Sequence, residues 1–308
     1  MTRSRGTAVA IALLLAALAA AGCGLGPGGA VGGVELTVTR EFGSAPVLAR
    51  SLEANESDTV MRVLEGSADI STRYGGGYVQ SIDGIEGAQR GGRPFDWFFF
   101  VDGVESPIGA ADSALQGNER IWWDYRDWST TNHVPAVVGS WPAPFADGYE
   151  GKWHPVVVEC EGGGGACALA RNALEDAGVT IASGSPAGAI RVLVGPWARL
   201  RSDPAAGLIE AGPQESGVYV DFERRGGGYG LVGLDSDGAP SHDFGSAAGL
   251  VAATRRYDAP PTWVVTGATP AAVQAAAGLL TAAKLRDHYA VASEDGEETP
   301  LPVQVPLK

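Results

Sequence analysis

Basic residues are scarce in this 308-residue chain: 22 Lys and Arg stand against 36 Asp and Glu, for a formal net charge of -14. That balance leaves no broad positive surface and excludes a protein that tracks nucleic-acid phosphates. The four histidines, His133, His154, His242 and His288, lie far apart, with neither H-x-x-x-H nor H-E-x-x-H spacing, so no local zinc motif is present. His242-Asp243 is the only adjacent His–carboxylate pair, and Gly238-Ala239-Pro240-Ser241 before it reads as a surface turn. No serine sits in a G-x-S-x-G elbow. The Gly162-Gly163-Gly164-Gly165 loop lacks the Lys and Ser/Thr of a phosphate-binding loop and is flanked by Glu159 and Glu161. What remains is 45% hydrophobic with 45 glycines, ordinary globular material of a length that suits about two domains.

Long apolar runs are also missing, and the longest, Thr7 to Ala21, is short for a bilayer span of roughly 20 residues. Arg3 and Arg5 precede it and Ala20-Ala21-Gly22-Cys23 ends it, the order of an export signal. The run resembles a bacterial lipoprotein lipobox, with Ala20 in place of the more usual Leu; a simple secretory signal or an uncleaved anchor are the alternatives. On that resemblance residues 1–22 are removed and Cys23 becomes a lipidated N-terminus. The lipid must carry the attachment, because losing Arg3 and Arg5 leaves 20 basic against 36 acidic residues, a net charge of -16. Residues 23–33, rich in glycine, read as a flexible tether.

The other two cysteines, Cys160 and Cys167, are separated by a glycine-rich stretch in an extracytoplasmic setting, which favours a disulfide. A redox site is the alternative, without C-x-x-C spacing or a neighbour to lower a thiol pKa.

From Val34, alternation of Leu36 and Val38 with Thr37 and Thr39 predicts an opening strand. Asn55-Glu56-Ser57-Asp58 offers capping groups for a short helix through Val60, Met61 and Leu64. Strands then follow at Ile70–Tyr74, Tyr78–Ile82, Trp97–Val101 and Arg120–Tyr125, with Asp83-Gly84 and Asp102-Gly103 as hairpin turns. Trp97-Phe98-Phe99-Phe100-Val101 does not alternate, which predicts a central strand covered on both faces. One helix against a mixed sheet makes residues 34–129 a β-grasp-like α+β domain.

Arg73-Tyr74-Gly75-Gly76-Gly77-Tyr78-Val79-Gln80-Ser81-Ile82-Asp83-Gly84, Asp96-Trp97-Phe98-Phe99-Phe100-Val101-Asp102-Gly103-Val104, Gly109-Ala110-Ala111-Asp112 and Gly117-Asn118-Glu119-Arg120-Ile121-Trp122-Trp123-Asp124-Tyr125 occur in that order. Together they resemble the transcobalamin-like C-terminal domain of bacterial surface proteins, similar to the smaller domain with which transcobalamin and intrinsic factor close over cobalamin. The resemblance covers about Val34 to Trp128 and implies capture of cobalamin or a related ligand for a membrane transporter. The large α/α-barrel domain of the animal proteins is absent, so a single module of this kind does not enclose a corrin alone. On strand alternation Ile121, Trp123 and Tyr125 share one face, and Trp122 and Asp124 the other, mixed face. Trp122, together with Tyr78 and Gln80, which share a face of their own strand, are the candidate ligand contacts.

Residues 130–153, with Trp141-Pro142-Ala143-Pro144-Phe145, read as a connector packed across the domain boundary. Residues 154–308 alternate strand and helix signals and predict a three-layer α/β domain. They contain a helix after Cys167, an Asp203-Pro204 start, a hairpin around Arg224–Gly228, a helix over 246–256, a buried strand at Thr262–Thr266, an Ala-rich helix from Thr269-Pro270 to about Leu285, and a strand from His288 to Ala292. The expectation is a membrane-anchored, extracytoplasmic, non-enzymatic binding lipoprotein that needs no cofactor. The alternatives are a surface lipoprotein that binds protein partners and no small molecule, or an envelope enzyme using the second half.

Overall fold

The computed structural model describes residues 29–162 and 164–304; Cys23 and most of the tether lie outside them. The first half is built on strands β1 (Ala30–Arg40) and β2 (Ala45–Asn55), an antiparallel pair. β1 therefore starts inside the segment read as tether. The pairing partners of Ala30, Gly32 and Gly33 on β2 are Asn55, Ala54 and Glu53. Strand β2 was not legible in Ala-Pro-Val-Leu-Ala-Arg-Ser-Leu-Glu-Ala-Asn because an edge strand mostly open to water needs no alternation.

Helix α1 (Val60–Glu65) is capped by Thr59, whose hydroxyl accepts the Arg62 N–H at 3.3 Å. Asp58, in the segment where the cap was expected, instead accepts the Asn55 N–H at 2.8 Å and closes the end of β2. Strands β3 (Ile70–Arg73), β4 (Tyr78–Ile82) and β5 (Ile85–Glu86) form a small antiparallel sheet. β6 (Ala88–Arg90), β7 (Arg93–Val101), β8 (Val104–Glu105) and β9 (Arg120–Asp127) complete the main sheet, whose order is β2-β1-β9-β7-β6 with β8 beside β7. β1 and β9 run parallel, and every other pairing in this sheet is antiparallel. The middle strand is β9 and not Trp97–Val101: seven of its eight residues are buried, whereas Phe98 and Phe99 on β7 are only half-buried.

In the second half, β10 (Val156–Cys160), β11 (Ile190–Pro196) and β16 (Thr262–Gly267) run parallel, and β15 (Gly249–Thr254), β17 (Ala290–Glu294) and β18 (Glu297–Leu301) extend the sheet antiparallel, in the order β10-β11-β16-β15-β17-β18. Helix α2 (Gly165–Asp176) lies on one face, with α3 (Trp197–Leu200) and α4 (Pro213–Ser216) following it in the chain. Helix α5 (Pro270–Ala277) joins α2 over a core of Val158, Val192, Trp263, Val265, Leu174 and Val273. The Ala-rich segment breaks after Gly278, and a second cap at Thr281 starts α6 (Ala282–Leu285). The opposite face carries another sheet, β12 (Val220–Arg225), β13 (Gly228–Leu234) and β14 (Pro240–Gly245), with Trp197 stacked on Phe222 at 4.3 Å.

There are thus three layers, but one outer layer is largely β. Strands make up 41% of the described residues and helices 17%, so the fold is α+β material in several sheets. The helix expected over 246–256 is β15; every residue in it is buried, because α5 covers one face and the small sheet the other, and such a run carries no period to read. His242 and Asp243 likewise sit on strand β14, not in a turn.

The two halves meet on the mixed face of β9. Ile121, Trp123 and Tyr125 face the core of the first half, while Trp122 joins Phe42, Phe100, Val137, Tyr219 and Tyr289 in a cluster that spans both halves. Asp124 is fully enclosed there. One of its oxygens accepts the Thr39 hydroxyl (2.6 Å) and the Gly43 N–H (3.1 Å); the other accepts the Phe42 N–H and the Tyr289 hydroxyl, both at 3.0 Å. Trp122 Nε1 donates to Thr39 Oγ1 at 2.8 Å. Burial pushes the Asp124 pKa up, while these donors and the Arg126 guanidinium pull it down. Gly43 (φ +86°) and Gly139 make the approach close enough: a Cβ on Gly43 would run into the Asp287 carbonyl, and one on Gly139 would lie 2.8 Å from the Trp122 ring.

We expect Tyr289→Phe to cost about 1.5–3 kcal/mol, the range for a hydrogen bond to a charged group. Urea denaturation followed by fluorescence and by circular dichroism should show one shared transition moved to lower urea. A second group sets a pH dependence. Asp102, in the β7–β8 turn, accepts the Arg120 N–H at 2.9 Å, and burial raises its pKa from 3.8 to about 8. A carboxyl raised on folding takes up a proton, so its contribution is most favourable below pH 3.8 and is lost as pH rises to about 8. At about 1.4 kcal/mol per unit the loss is on the order of a few kcal/mol. Asp102→Asn should therefore gain thermal stability relative to the parent chain as pH goes from 4 to 8; a pH-independent difference in Tm would refute this.

Candidate functional site

The three residues expected to touch a ligand are not brought together. Trp122 is 2% exposed, its ring between Phe100 and Tyr289 at 5.5 and 5.3 Å. The face offered to a ligand on sequence is instead the contact between the halves, because Tyr289 supplies both ring and hydroxyl to it. Tyr78 and Gln80 lie on β4, on the far side of the first half's core from that contact. Tyr78 donates to Asp96, Gln80 accepts from Arg73, and the exposed ring of Tyr74 (86%) leans edge-on against Tyr78 at 6.1 Å. Burial and the Asp96 carboxylate both raise the pKa of Tyr78, so its hydroxyl stays protonated as a donor.

Cys160 and Cys167 are bonded, joining the end of β10 to the first turn of α2 with a Cα–Cα distance of 5.9 Å. The bridge lines a crevice of about 240 Å³ at the ends of the parallel strands.

The larger concavity is a cleft of about 770 Å³ between the two halves. The first half contributes the β1–β2 turn (Glu41, Phe42, Ser44), the β6–β7 hairpin (Arg90, Arg93, Phe95) and Asp127 at the end of β9; the second half contributes Asp235–Asp237 between β13 and β14, and Val303-Gln304. The hairpin is tight because Gly91 and Gly92 take φ of +59° and +83°, which places Arg90 and Arg93 side by side across the ladder. The two arginines differ in their bonding. Arg93 bonds Asp127 at 2.6 Å, Asp237, and Ser236 Oγ at 3.0 Å, so its charge is matched and it ties the halves together at the cleft. Thr130 Oγ1 adds a bond to the Ser236 carbonyl at 2.7 Å.

Arg90 lies over the rings of Phe95 (5.6 Å) and Tyr125 (5.3 Å) and has no carboxylate partner among the described residues. Phe95 stacks on Tyr125 at 5.8 Å. The wall is thus the Phe95 ring, backed by the buried Tyr125 and topped by a guanidinium with free donors, in a cleft that Glu41, Ser44 and Gln304 also line. Such a surface can take a flat, partly apolar molecule with acceptor groups at its edge. The sequence carried one signal for it, Gly-Gly between two arginines, but nothing that told which loop of the second half would face it.

Residues 57–127, from the turn before α1 to the end of β9, match a family described as a domain of unknown function (DUF4430), a domain found in transcobalamin-like proteins. The match leaves out β1, β2 and the whole second half. No curated protein matches the chain.

Arg93→Met should release the loop at 235–238 from the first half. We expect faster amide exchange across Asp235–Ala239 and a stability loss of about 1–3 kcal/mol, since the buried Asp127 carboxylate loses its cation. Unchanged exchange in that loop would show that Arg93 does not hold it.

Proposed function

We propose that the protein is a lipid-anchored, extracytoplasmic binding protein, not an enzyme, whose cleft between the halves captures cobalamin or a related ligand for a membrane transporter. The observation that carries this reading is the cleft itself. Its volume of about 770 Å³ lies within the roughly 300–1,000 Å³ of small-molecule sites, and its few polar groups converge on an aromatic wall.

The first half supports the same reading. The order β2-β1-β9-β7, with β1 parallel to β9 and α1 between the two hairpins, is the arrangement expected of a β-grasp module. The second half supplies what a lone module lacks, a second wall. In this reading Arg90 and Gln304 hydrogen-bond amide or phosphate oxygens at the ligand's edge, and Phe95 contacts its flat face. The protein would release the ligand unchanged, with no bond made or broken.

A second reading, a surface lipoprotein that binds a protein partner, draws on Tyr74 and Ile108. These are exposed side chains on adjacent loops, where Gly109 approaches the Gly77 carbonyl. Isothermal titration of the chain lacking residues 1–22, with Cys23→Ser, against cobalamin and cobinamide separates the two. Capture predicts saturable binding that Arg90→Ala weakens by roughly tenfold, about 1.4 kcal/mol, and that Tyr74→Ala leaves unchanged. Neither heat nor a thermal shift at ligand concentrations well above micromolar would rule out capture of these corrinoids and favour the partner-binding reading.

A further inference from the structure

The end of the molecule opposite the cleft carries its own surface chemistry. Trp153 is 66% exposed and Tyr257 89%, far more than the buried aromatic residues of either core. They sit on two loops, 148–153 and 255–259, that Arg255 joins by bonding Glu150 at 2.9 Å and lying over the Tyr149 ring at 5.4 Å. Lys152 and Arg256 flank the two aromatics. Neither has a carboxylate partner among the described residues, and Arg256 rests on the Tyr257 ring at 5.7 Å. Glu150, taken by Arg255, and Asp258 are the acids on these loops. On a chain of net charge -14, two unpaired cations beside two exposed amphipathic rings form a local exception.

This end is also where the chain leaves its N-terminal segment. The Asn118 N–H bonds the Gly33 carbonyl at 2.6 Å, Gly117 packs against Val31 and Gly32, and Gly151 faces the neighbouring Gln116 side chain, where a Cβ would come within 3.3 Å. The start of β1, the loop before β9 and the Trp153 loop are therefore contiguous. Seven residue steps, with six residues between, lead from Cys23 to Ala30, a reach of roughly 25 Å at full extension. From Ala30, β1 runs 11 residues to Arg40, roughly 33 Å of strand, and the next residue, Glu41, lines the cleft.

We propose that the end carrying Lys152, Trp153, Arg256 and Tyr257 rests on an anionic bilayer surface, so that the cleft opens away from the membrane. The proposal rests on the reading of Cys23 as the lipidated residue. Tryptophan and tyrosine settle at the headgroup level, and lysine and arginine beside them meet anionic headgroups. Each contact is weak, but a short tether holds the surface at high effective concentration, so weak contacts are enough to orient the molecule.

The test uses the chain starting at Cys23, coupled through that thiol to a maleimide-bearing lipid in phosphatidylcholine–phosphatidylglycerol vesicles containing brominated acyl chains. Cys160 and Cys167 are bonded to each other, so Cys23 is the thiol available for coupling. Apart from Trp153, only Trp128 among the eight tryptophans is exposed, and it adjoins the cleft end of β9. Bromine should quench the parent fluorescence; Trp153→Phe should lose most of that quenching and Trp128→Phe should keep it. Joint Lys152→Glu and Arg256→Glu substitution should reduce it in phosphatidylglycerol-containing vesicles. Equal quenching in the parent and Trp153→Phe, or loss in Trp128→Phe instead, would overturn the orientation. The mass of the Cys23 peptide from the expressing cell's membranes tests the anchor separately: an unmodified cysteine overturns the anchoring, whereas the vesicle result judges the face alone.

Discussion

The carboxylate of Asp124 has no contact with solvent, and each of its four hydrogen-bond positions is filled from elsewhere in the chain: the β1 hydroxyl of Thr39, two backbone N–H groups of the β1–β2 turn, and the hydroxyl of Tyr289. Removing such a group from water is costly unless its partners are in place, so the site forms only when the second half is docked. Arg126, two residues on and also without exposure, depends instead on the connector. It donates to the Thr131 carbonyl at 2.7 Å and lies 3.9 Å from the Phe98 ring centre, two partners that meet only once the chain has turned into the connector. The interface between the halves is therefore a polar centre ringed by aromatics, and it fixes their relative placement more narrowly than an apolar contact of similar size would.

That centre explains which parts of the structure were legible in the sequence. Alternation correctly divided β9 into an apolar face and a mixed face, and the apolar face is the core of the first half. The mixed face, Trp122 with Asp124, looked like a ligand surface because a tryptophan beside a carboxylate is amphipathic wherever it is used. What covers it, Tyr289, lies 165 residues beyond Asp124, and no local pattern announces such a partner. The hairpin turns at Asp83-Gly84 and Asp102-Gly103 were legible for the opposite reason: their positive φ is a local requirement met by local residues. Strand β15 was misread because Gly-Leu-Val-Ala-Ala-Thr is buried on both faces, and burial on both faces erases the period that tells strand from helix. The Cys160–Cys167 bridge was legible because the two cysteines bracket one short glycine-rich loop.

The cleft belongs to the part that could not be read. Each of its walls is a set of turns, and turns are specified for their own geometry, not for what faces them. The Gly91-Gly92 hairpin places two arginines side by side, but Arg93 becomes structural and Arg90 stays free only because Asp127 and Asp237 both come to Arg93. Two arginines three positions apart thus take different roles, one tying the halves and one presenting donors to the cleft. The distinction arises entirely from tertiary structure.

A cleft bounded by two bodies is often a hinge, yet the contacts here argue for a preformed site. Opening by rotation of one half would pull Tyr289 from Asp124, separate Gly43 and Gly139 from Asp287 and His288, and expose the ring cluster around Trp122. Each of those losses uncovers buried groups, so the lower-cost movements lie at the rim, where the part-buried Ser236 and the exposed Asp237 meet Arg93. In the capture reading, affinity would come from groups already held in place, because little ordering would remain to be done on binding. On that same reading, a ligand would enter and leave at the 235–238 loop and the Gly91-Gly92 turn, which line the cleft, while the Asp124 centre would stay closed.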